Sequence, residues 1–320
     1  RSFSKVSAQD ILSKVEQEYD RGRYWPEPLI QINPNYKRQS TVQQLAHEGM
    51  LHASCSHIFQ TGKTEGKAAD LHLYVHQLQA LAKAQKQQSY VVTTGTGSGK
   101  SLAFFVPIID RILKAKQADP QKRTRAIVIY PMNALANSQL EELDKFLHGY
   151  PDDQKPFTVA RYTGQESDAD RKQIADNPPD ILLTNFMMLE LILTRFEDVD
   201  RRVVEHCQGL EFLVLDELHT YRGRQGADVA LLVRRLRERL QAHQLVCIGT
   251  SATMSSTGTQ ADRNQTVANV ASLLFGAQIT EHDVIGETLE RVTNPAKDIE
   301  AVKSLLKPAL LKESYHWPDF

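Results

Sequence analysis

Short apolar runs alternate with helix-length amphipathic segments through the centre of the chain. The first run, Tyr90 to Val92, precedes a helix-length apolar segment at Leu102 to Leu113. Short apolar strands alternating with helices are typical of a parallel sheet that helices cover on both faces. The pattern predicts further strand and helix pairs and then a last strand: Arg125 to Tyr130 with Asn133 to Leu147, Phe157 to Arg161 with Asp168 to Ala175, Asp180 to Leu183 with Phe186 to Arg195, Glu211 to Leu215 with Ala227 to Leu240, and Leu245 to Gly249. We therefore predict an α/β fold.

Outside this alternation the pattern is mostly helical. The predicted helical segments are Ala8 to Tyr19, Val42 to His47, His52 to Phe59, an amphipathic helix at Leu71 to Gln85, and pieces at Ala271 to Phe275, Val284 to Leu289 and Ile299 to Leu311. The glycine-rich and charged stretch Thr61 to Gly66 is the predicted boundary before the main domain. We therefore predict a helical N-terminal accessory region at 1–69, the main α/β domain at 70–254, and a truncated interlobe segment or linker at 255–320.

Composition and charge narrow the class of protein. The 320 residues are 41% hydrophobic, which is enough for a sizeable core, and no apolar run approaches membrane-spanning length. No signal peptide opens the chain, so we expect a soluble cytoplasmic protein without a membrane partner. The formal net charge of −1 means that any nucleic-acid contact comes from a local patch.

The segment Ser89 to Ser101, S-Y-V-V-T-T-G-T-G-S-G-K-S, carries the clearest chemistry. It turns from a strand into a glycine-rich loop and then into a helix. Glycines allow backbone N–H groups to close around a polyphosphate, and the helix N-terminus attracts the same anion. Lys100 would reach the β- and γ-phosphates, and the Ser101 hydroxyl would hold Mg²⁺. The alternative is a glycine-rich turn with a chance lysine, because Thr94 stands where the strict phosphate-loop pattern has glycine. The predicted nucleotide-binding residues of the loop are Gly95, Thr96, Gly97, Ser98, Gly99, Lys100 and Ser101.

A pair of acidic residues follows the apolar strand at Phe212 to Leu215. A carboxylate at a strand tip beside a phosphate loop holds Mg²⁺, and a neighbouring one orients and deprotonates water. We assign Asp216 to the metal and Glu217 to the base, although charged residues also commonly follow strands into solvent. The predicted catalytic set is Lys100, Asp216, Glu217 and His219. The next strand runs into Ser251 and Thr253, whose hydroxyls are placed to bond the 216–219 segment.

Small polar residues end three other predicted strands. Backbone N–H groups, short hydroxyls and helix N-termini hold a phosphodiester backbone without reading bases. For each residue alone, ordinary helix capping is the alternative. The predicted nucleic-acid-binding residues are Pro131, Asn133, Thr163, Gly164, Thr184 and Asn185.

Taken in order, the motifs L-Y-V-H-Q, T-G-T-G-S-G-K-S, P-M-N-A-L-A-N-S-Q, Y-T-G, T-N, D-E-L-H and S-A-T resemble one family. They are similar to the first RecA-like lobe of superfamily 2 DEAD/DEAH-box (DExH) helicases, from Leu71 to about Met254. The resemblance implies a RecA-like sheet, ATP and Mg²⁺ as cofactors, and nucleic acid as partner, with DNA favoured over RNA. It also implies that Gln77 reads adenine, although a solvated helix glutamine is the alternative, and that Ser251 and Thr253 couple hydrolysis to lobe movement.

The run Leu215 to Ala230, L-D-E-L-H-T-Y-R-G-R-Q-G-A-D-V-A, is similar to a bacterial subgroup of these helicases. That subgroup includes the mitomycin-repair helicase and the helicase of DISARM-type phage defence, which implies repair or defence partner proteins. Such helicases have a second RecA-like lobe, which this chain lacks room for, so we expect ATP binding with weak turnover. A nucleotide-gated nucleic-acid clamp that does not unwind strands is the alternative function.

Overall fold

The computed structural model of the chain describes residues 8–21, 35–95, 97–252, 259–291, 300 and 304. The chain divides into two compact units, residues 1–35 and residues 36–320. In the first unit, helix α1 (Gln9–Asp20) has no buried residue. This helix confirms the helical segment predicted at Ala8 to Tyr19.

A parallel sheet forms the centre of the larger unit. In the described part of the chain it has seven strands in the order β11-β5-β10-β9-β6-β8-β7, and every pairing is parallel. All these strands therefore end at the same edge of the sheet. Their bounds are β5 Tyr90–Thr93, β6 Ala126–Tyr130, β7 Val159–Tyr162, β8 Ile181–Asn185, β9 Phe212–Leu215, β10 Val246–Ser251 and β11 Val284–Gly286.

Helices cover both faces of this sheet, which confirms the predicted α/β architecture. Side chains of β5 alternate between the two faces: Tyr90 and Val92 pack in one apolar core, and Val91 packs in the other. The first core contains α4 Val75–Gln85, α5 Lys100–Ala118 and α6 Asn133–Leu147. The helices of the second core are α7 Asp168–Asp176, α8 Phe186–Thr194, α9 Asp198–Glu205, α10 Gly223–Arg239 and α11 Gln260–Phe275.

Residues that precede the sheet pack into the first core. Val42 and Phe59 are fully buried there together with side chains of α5. The elements of this segment are β1 Arg38–Thr41, α2 Val42–His47, α3 Cys55–Ile58, β2 Gln60–Thr61, β3 Ala69–Asp70 and β4 His72–Tyr74. β1 pairs with β4 and β2 pairs with β3, both antiparallel. The division of the chain at positions 69 and 254 stays a prediction.

Helix α5 continues through Pro107. Proline has no N–H, so the carbonyl of Ala103, one turn earlier, has no helical donor. The Tyr90 hydroxyl donates to that carbonyl at 2.8 Å. A buried side chain of the neighbouring strand thus replaces the missing helical hydrogen bond.

Several predicted element bounds are wrong. The helix predicted at Leu71 to Gln85 starts only at Val75, because His72–Tyr74 pairs with β1. The piece predicted as helical at Val284 to Leu289 contains strand β11, in which β-branched side chains pair with β5. The helix predicted at His52 to Phe59 shortens to Cys55–Ile58. Helix α9 was not predicted, and most of the piece at Ile299 to Leu311 lies outside the described residues.

No helix of the described residues is both long enough and apolar enough to cross a membrane.

Candidate functional site

The carboxyl ends of the parallel strands bring the predicted residues to one edge of the sheet. The phosphate loop follows β5, Ser251 ends β10, and Asp216 follows β9. Pro131 follows β6, and Asn185 ends β8. In a parallel sheet this edge is the place where ligands bind.

The loop between β5 and α5 has the backbone of a phosphate cradle. Gly97 has a φ of 78° and Gly99 a φ of 68°, both in the left-handed region that favours glycine. Thr96 lies outside the described residues. Helix α5 begins at Lys100, so its N-terminal N–H groups face the loop.

The threonine that replaces glycine at the start of the phosphate-loop pattern has a structural role. The Thr94 side chain is 2% exposed and its hydroxyl lies 2.6 Å from that of Ser98, which is 1% exposed. The hydrogen bond between these two hydroxyls joins the two ends of the loop. Ser98 therefore has its backbone, and not its hydroxyl, available for a phosphate.

Lys100 connects the loop with the acidic pair. Its Nζ donates to the carbonyl of Thr94 at 3.2 Å and lies 3.9 Å from Oε1 of Glu217. A cation held between the loop and a carboxylate is positioned to contact the terminal phosphates of a nucleotide.

Gln77 is buried behind the loop. Its Nε2 donates to the carbonyl of Gly99 at 2.9 Å, and its Oε1 accepts from the N–H of Tyr74 at 2.8 Å. With 2% exposure, the side chain joins the start of α4 to the loop in this conformation. Its reading of adenine stays a prediction.

The acidic pair is held by a residue that the sequence analysis missed. The hydroxyl of Thr250, fully buried in β10, donates to Oδ1 of Asp216 and accepts from the N–H of Glu217 at 3.0 Å. In the sequence, Thr250 is marked only by its position in a strand, directly before the S-A-T motif. Thr250 therefore positions the carboxylate of Asp216 and the backbone of Glu217.

Burial shapes the electrostatics of Asp216. Desolvation raises the pKa of this carboxyl above its ordinary value, and the hydrogen bond from Thr250 opposes that rise. Among the described residues, no hydrogen-bond partner contacts the buried hydroxyls of Tyr130 and Tyr221. Burial raises the pKa of both hydroxyls, and the charge of Asp216 raises it further. Unpaired buried hydroxyls around a carboxylate indicate space for polar ligands such as water.

This donor set fits Mg²⁺. Carboxylate and hydroxyl oxygens are its preferred protein ligands, and the ion normally keeps several waters. Asp216 and Ser101 are the residues that would hold it, and the ion would neutralise charge on the phosphates. A cation there would also offset the cost of burying the Asp216 carboxylate.

Glu217 and His219 form a second contact with β10. Glu217 has a φ of 54° and a ψ of 57°, the left-handed conformation, and its Oε2 lies 3.2 Å from Nδ1 of His219. The hydroxyl of Ser251 lies 3.4 Å from the same nitrogen. Ser251 thus reaches the acidic segment, whereas Thr253 lies outside the described residues.

Three of the predicted nucleic-acid-binding residues meet at the ends of β6 and β8. Nδ2 of Asn185 donates to Oδ1 of Asn133 at 2.7 Å and to the carbonyl of Thr163 at 3.0 Å. A cavity of about 550 Å³ lies here, and its wall includes Pro131, Asn133, Asn185 and Tyr221. The pocket adjoins the acidic pair because Tyr221 contributes to both.

Other predicted contact residues have their polar groups satisfied inside the protein. Thr184 is fully buried and its hydroxyl donates to the carbonyl of Tyr162 at 2.6 Å, so its side chain positions the strand end. The N–H groups of Thr163 and Gly164 both donate to Glu166, at 2.7 and 2.8 Å. A phosphate would have to displace this carboxylate to reach those donors. The nucleic-acid-binding role of Thr184 stays a prediction.

We expect Thr250→Val to lower ATP hydrolysis by about 10- to 100-fold, the usual cost of losing a group that orients metal ligands. Since the hydroxyl lowers the pKa of Asp216, its loss raises that pKa further. Protonated Asp216 cannot hold the metal, so the acid limb of the pH–rate profile should move to higher pH. Steady-state rates across pH test this.

The control is Thr124→Val, which removes a buried hydroxyl that donates to the Pro179 carbonyl at 2.8 Å away from the site. Both variants should lose about 1–3 kcal/mol of unfolding free energy. An unchanged acid limb in Thr250→Val would contradict the assigned role.

Comparison with known proteins identifies related sequences and structures. The profile of the DEAD/DEAH box helicase family matches residues 74–261. The ATP-dependent helicase YprA of Bacillus subtilis is 34% identical over 186 residues, covering 58% of this chain and 23% of YprA. The Druantia protein DruE of Escherichia coli is 26% identical over 293 residues, covering 57% of this chain and 16% of DruE. These matches confirm the resemblance inferred from the motifs.

The crystal structure of the DUF1998 helicase MrfA bound to DNA has the same fold. It superposes with a TM-score of 0.60 at 24% identity, covering 88% of this chain and 32% of MrfA. The present chain thus spans about a third or less of each of these proteins.

Proposed function

The chain belongs to the DEAD/DEAH box helicase family, and from that membership we propose that it is the ATP-binding lobe of a nucleic-acid motor. The observation that carries this proposal is the position of Lys100, 3.9 Å from Glu217 and bonded to the loop. Lys100 thus lies between the phosphate cradle and Glu217, the base that would activate water.

In the proposed reaction each residue has a defined task. Lys100 and the loop N–H groups bind the terminal phosphates, and Asp216 with Ser101 holds Mg²⁺. Glu217 orients the attacking water and accepts its proton. His219 and Ser251 join this segment to β10, so a change at the γ-phosphate alters the same strand end.

The nucleic acid is proposed to bind at the ends of β6 and β8. Asn133, Asn185 and Pro131 line the cavity there, next to Tyr221. We favour DNA over RNA from the similarity of residues 215–230 to a bacterial mitomycin-repair helicase, since the shared fold occurs in helicases bound to DNA and in helicases bound to RNA. The similarity of residues 215–230 to repair and defence helicases supports a cytoplasmic role in one of those processes.

Strand unwinding by the whole protein is also a proposal. The chain covers 23% of YprA, and the arginine fingers that complete helicase sites are worth about 10³- to 10⁵-fold in rate. We therefore expect the chain alone to bind ATP but hydrolyse it slowly.

The decisive experiment measures ATP hydrolysis with this chain joined to a second RecA-like lobe. Rates are compared without nucleic acid and with single-stranded DNA, single-stranded RNA or duplex. Stimulation by DNA supports the proposal, and stimulation by RNA alone contradicts the choice of DNA. An unwinding assay then separates a motor from a clamp, since a clamp changes its affinity with ATP but separates no strands.

A further inference from the structure

The order of strands fixes the direction in which a nucleotide would lie across the site. Asp216 and Glu217 follow β9, and β10 separates β9 from the phosphate-loop strand β5. The terminal phosphate must approach these carboxylates, so the phosphate chain points from the loop toward β9. The nucleoside must then lie on the opposite side of β5, toward the edge strand β11. Gln77 fits this direction, because its helix α4 packs beside β11.

Glu287 is the residue that directly follows β11 at this edge. Its Oε2 accepts from the N–H of Gly95 at 3.0 Å, across 192 positions of sequence. A Cβ built on Gly95 would lie 2.9 Å from the Tyr36 hydroxyl and 3.4 Å from Glu287 Oε2. The Tyr36 hydroxyl and the Glu287 carboxylate therefore lie next to Gly95, the first glycine of the loop, on the side where the nucleoside would lie.

The segment around Glu287 is held in place by backbone contacts. The N–H of Lys37 donates to the carbonyl of Thr288 at 2.9 Å, and Tyr36 forms a β-bridge with Leu289. Glu287 itself is exposed. Within the residues that the structure describes, the N–H of Gly95 is the one hydrogen-bond donor to its carboxylate, which leaves Oε1 available to a ligand.

The chemistry of a carboxylate limits which part of a nucleotide it selects. An ionised carboxylate only accepts hydrogen bonds. The ionised triphosphate has no hydrogen-bond donor, and its negative charge repels the carboxylate. The vicinal hydroxyls of ribose are donors, and dinucleotide-binding α/β folds hold ribose with an acidic residue. Resting on the proposed ATP-binding function, we propose that Glu287 accepts a hydrogen bond from one ribose hydroxyl and favours nucleotides that carry this hydroxyl over analogues that lack it.

Calorimetric titration of the chain tests this without any measurement of turnover. ATP, 2′-deoxy-ATP and 3′-deoxy-ATP are titrated with Mg²⁺ into the wild type, Glu287→Ala and Glu287→Gln. Because hydrogen bonds to charged groups are the stronger ones, the wild type should bind one deoxynucleotide about tenfold more weakly than ATP. Glu287→Ala should bind ATP and that analogue within about twofold of each other, and Glu287→Gln should lie between, since its amide oxygen still accepts.

The matched control is Glu290→Ala, which removes the same charge from an exposed position three residues further on. It should keep the wild-type preference. If Glu287→Ala still binds ATP more tightly than the deoxynucleotide, the proposal is overturned. Tighter binding of ATP by Glu287→Ala than by the wild type would also overturn it, because the carboxylate would then mainly repel the phosphates. Failure of the wild type to bind any nucleotide would instead refute the proposed function itself, so the two failures are distinguishable.

Discussion

Replacing Lys100 with alanine should reduce nucleic-acid-stimulated ATP hydrolysis by at least about 100-fold, as expected when a preorganised charge at a developing anion is lost. The Nζ atom lies 3.2 Å from the Thr94 carbonyl and 3.9 Å from Glu217, so the substitution removes the cation between the loop and the acidic pair. ATP binding should also weaken, because the lysine contacts phosphates in the ground state. Hydrolysis rates and nucleotide titrations measure the two effects.

The control for this change is Lys145→Ala, which removes an exposed lysine paired with Glu142. Surface ion pairs of this kind contribute at most about 1 kcal/mol to stability, so this variant should behave as the wild type. Stimulated hydrolysis that survives Lys100→Ala would contradict both the site and the proposed motor. A cooperative unfolding transition close to that of the wild type would show that the Lys100→Ala protein is folded.

Local chemistry explains how much of this site could be predicted from sequence. Phosphate and metal binding requires particular residue types, and the sequence shows them directly: the glycines of the loop, Lys100 and the acidic pair. The structure brings these residues together at one edge of the sheet. The period of apolar residues likewise predicts strands such as β9, since four buried residues in a row suit a central parallel strand. Signals of this kind lie within one segment of the chain.

Features that depend on distant segments could not be predicted. In the sequence, nothing distinguishes Thr250 from other strand residues. Its hydroxyl bridges Asp216 and Glu217 only because β10 pairs with β9. The contact of Glu287 with Gly95, across 192 positions of sequence, requires β11 to pair with β5. No pattern within one segment shows such a pairing.

Glu217→Gln should lower ATP hydrolysis by about 10²- to 10⁴-fold while ATP binding is retained. The amide keeps the size and the hydrogen-bonding oxygen of the side chain but cannot take a proton from water. Glu217 has a φ of 54°, a conformation that costs a non-glycine residue about 1–2 kcal/mol, and Gln has the same cost. The substitution therefore changes the proton acceptor and leaves the strained backbone as it is.

The comparison with Lys100→Ala makes this result specific. Loss of the Glu217 charge removes repulsion of the γ-phosphate, so Glu217→Gln should bind ATP at least as tightly as the wild type, whereas Lys100→Ala should bind it more weakly. Glu205→Gln is the control, since it neutralises an exposed carboxylate paired with Arg201 and should leave the rate unchanged. A Glu217→Gln protein that loses ATP binding, or that hydrolyses ATP at the wild-type rate, would show that Glu217 is not the base. Retained binding with a slow chemical step would instead place proton transfer at this residue, because only that step needs its carboxylate.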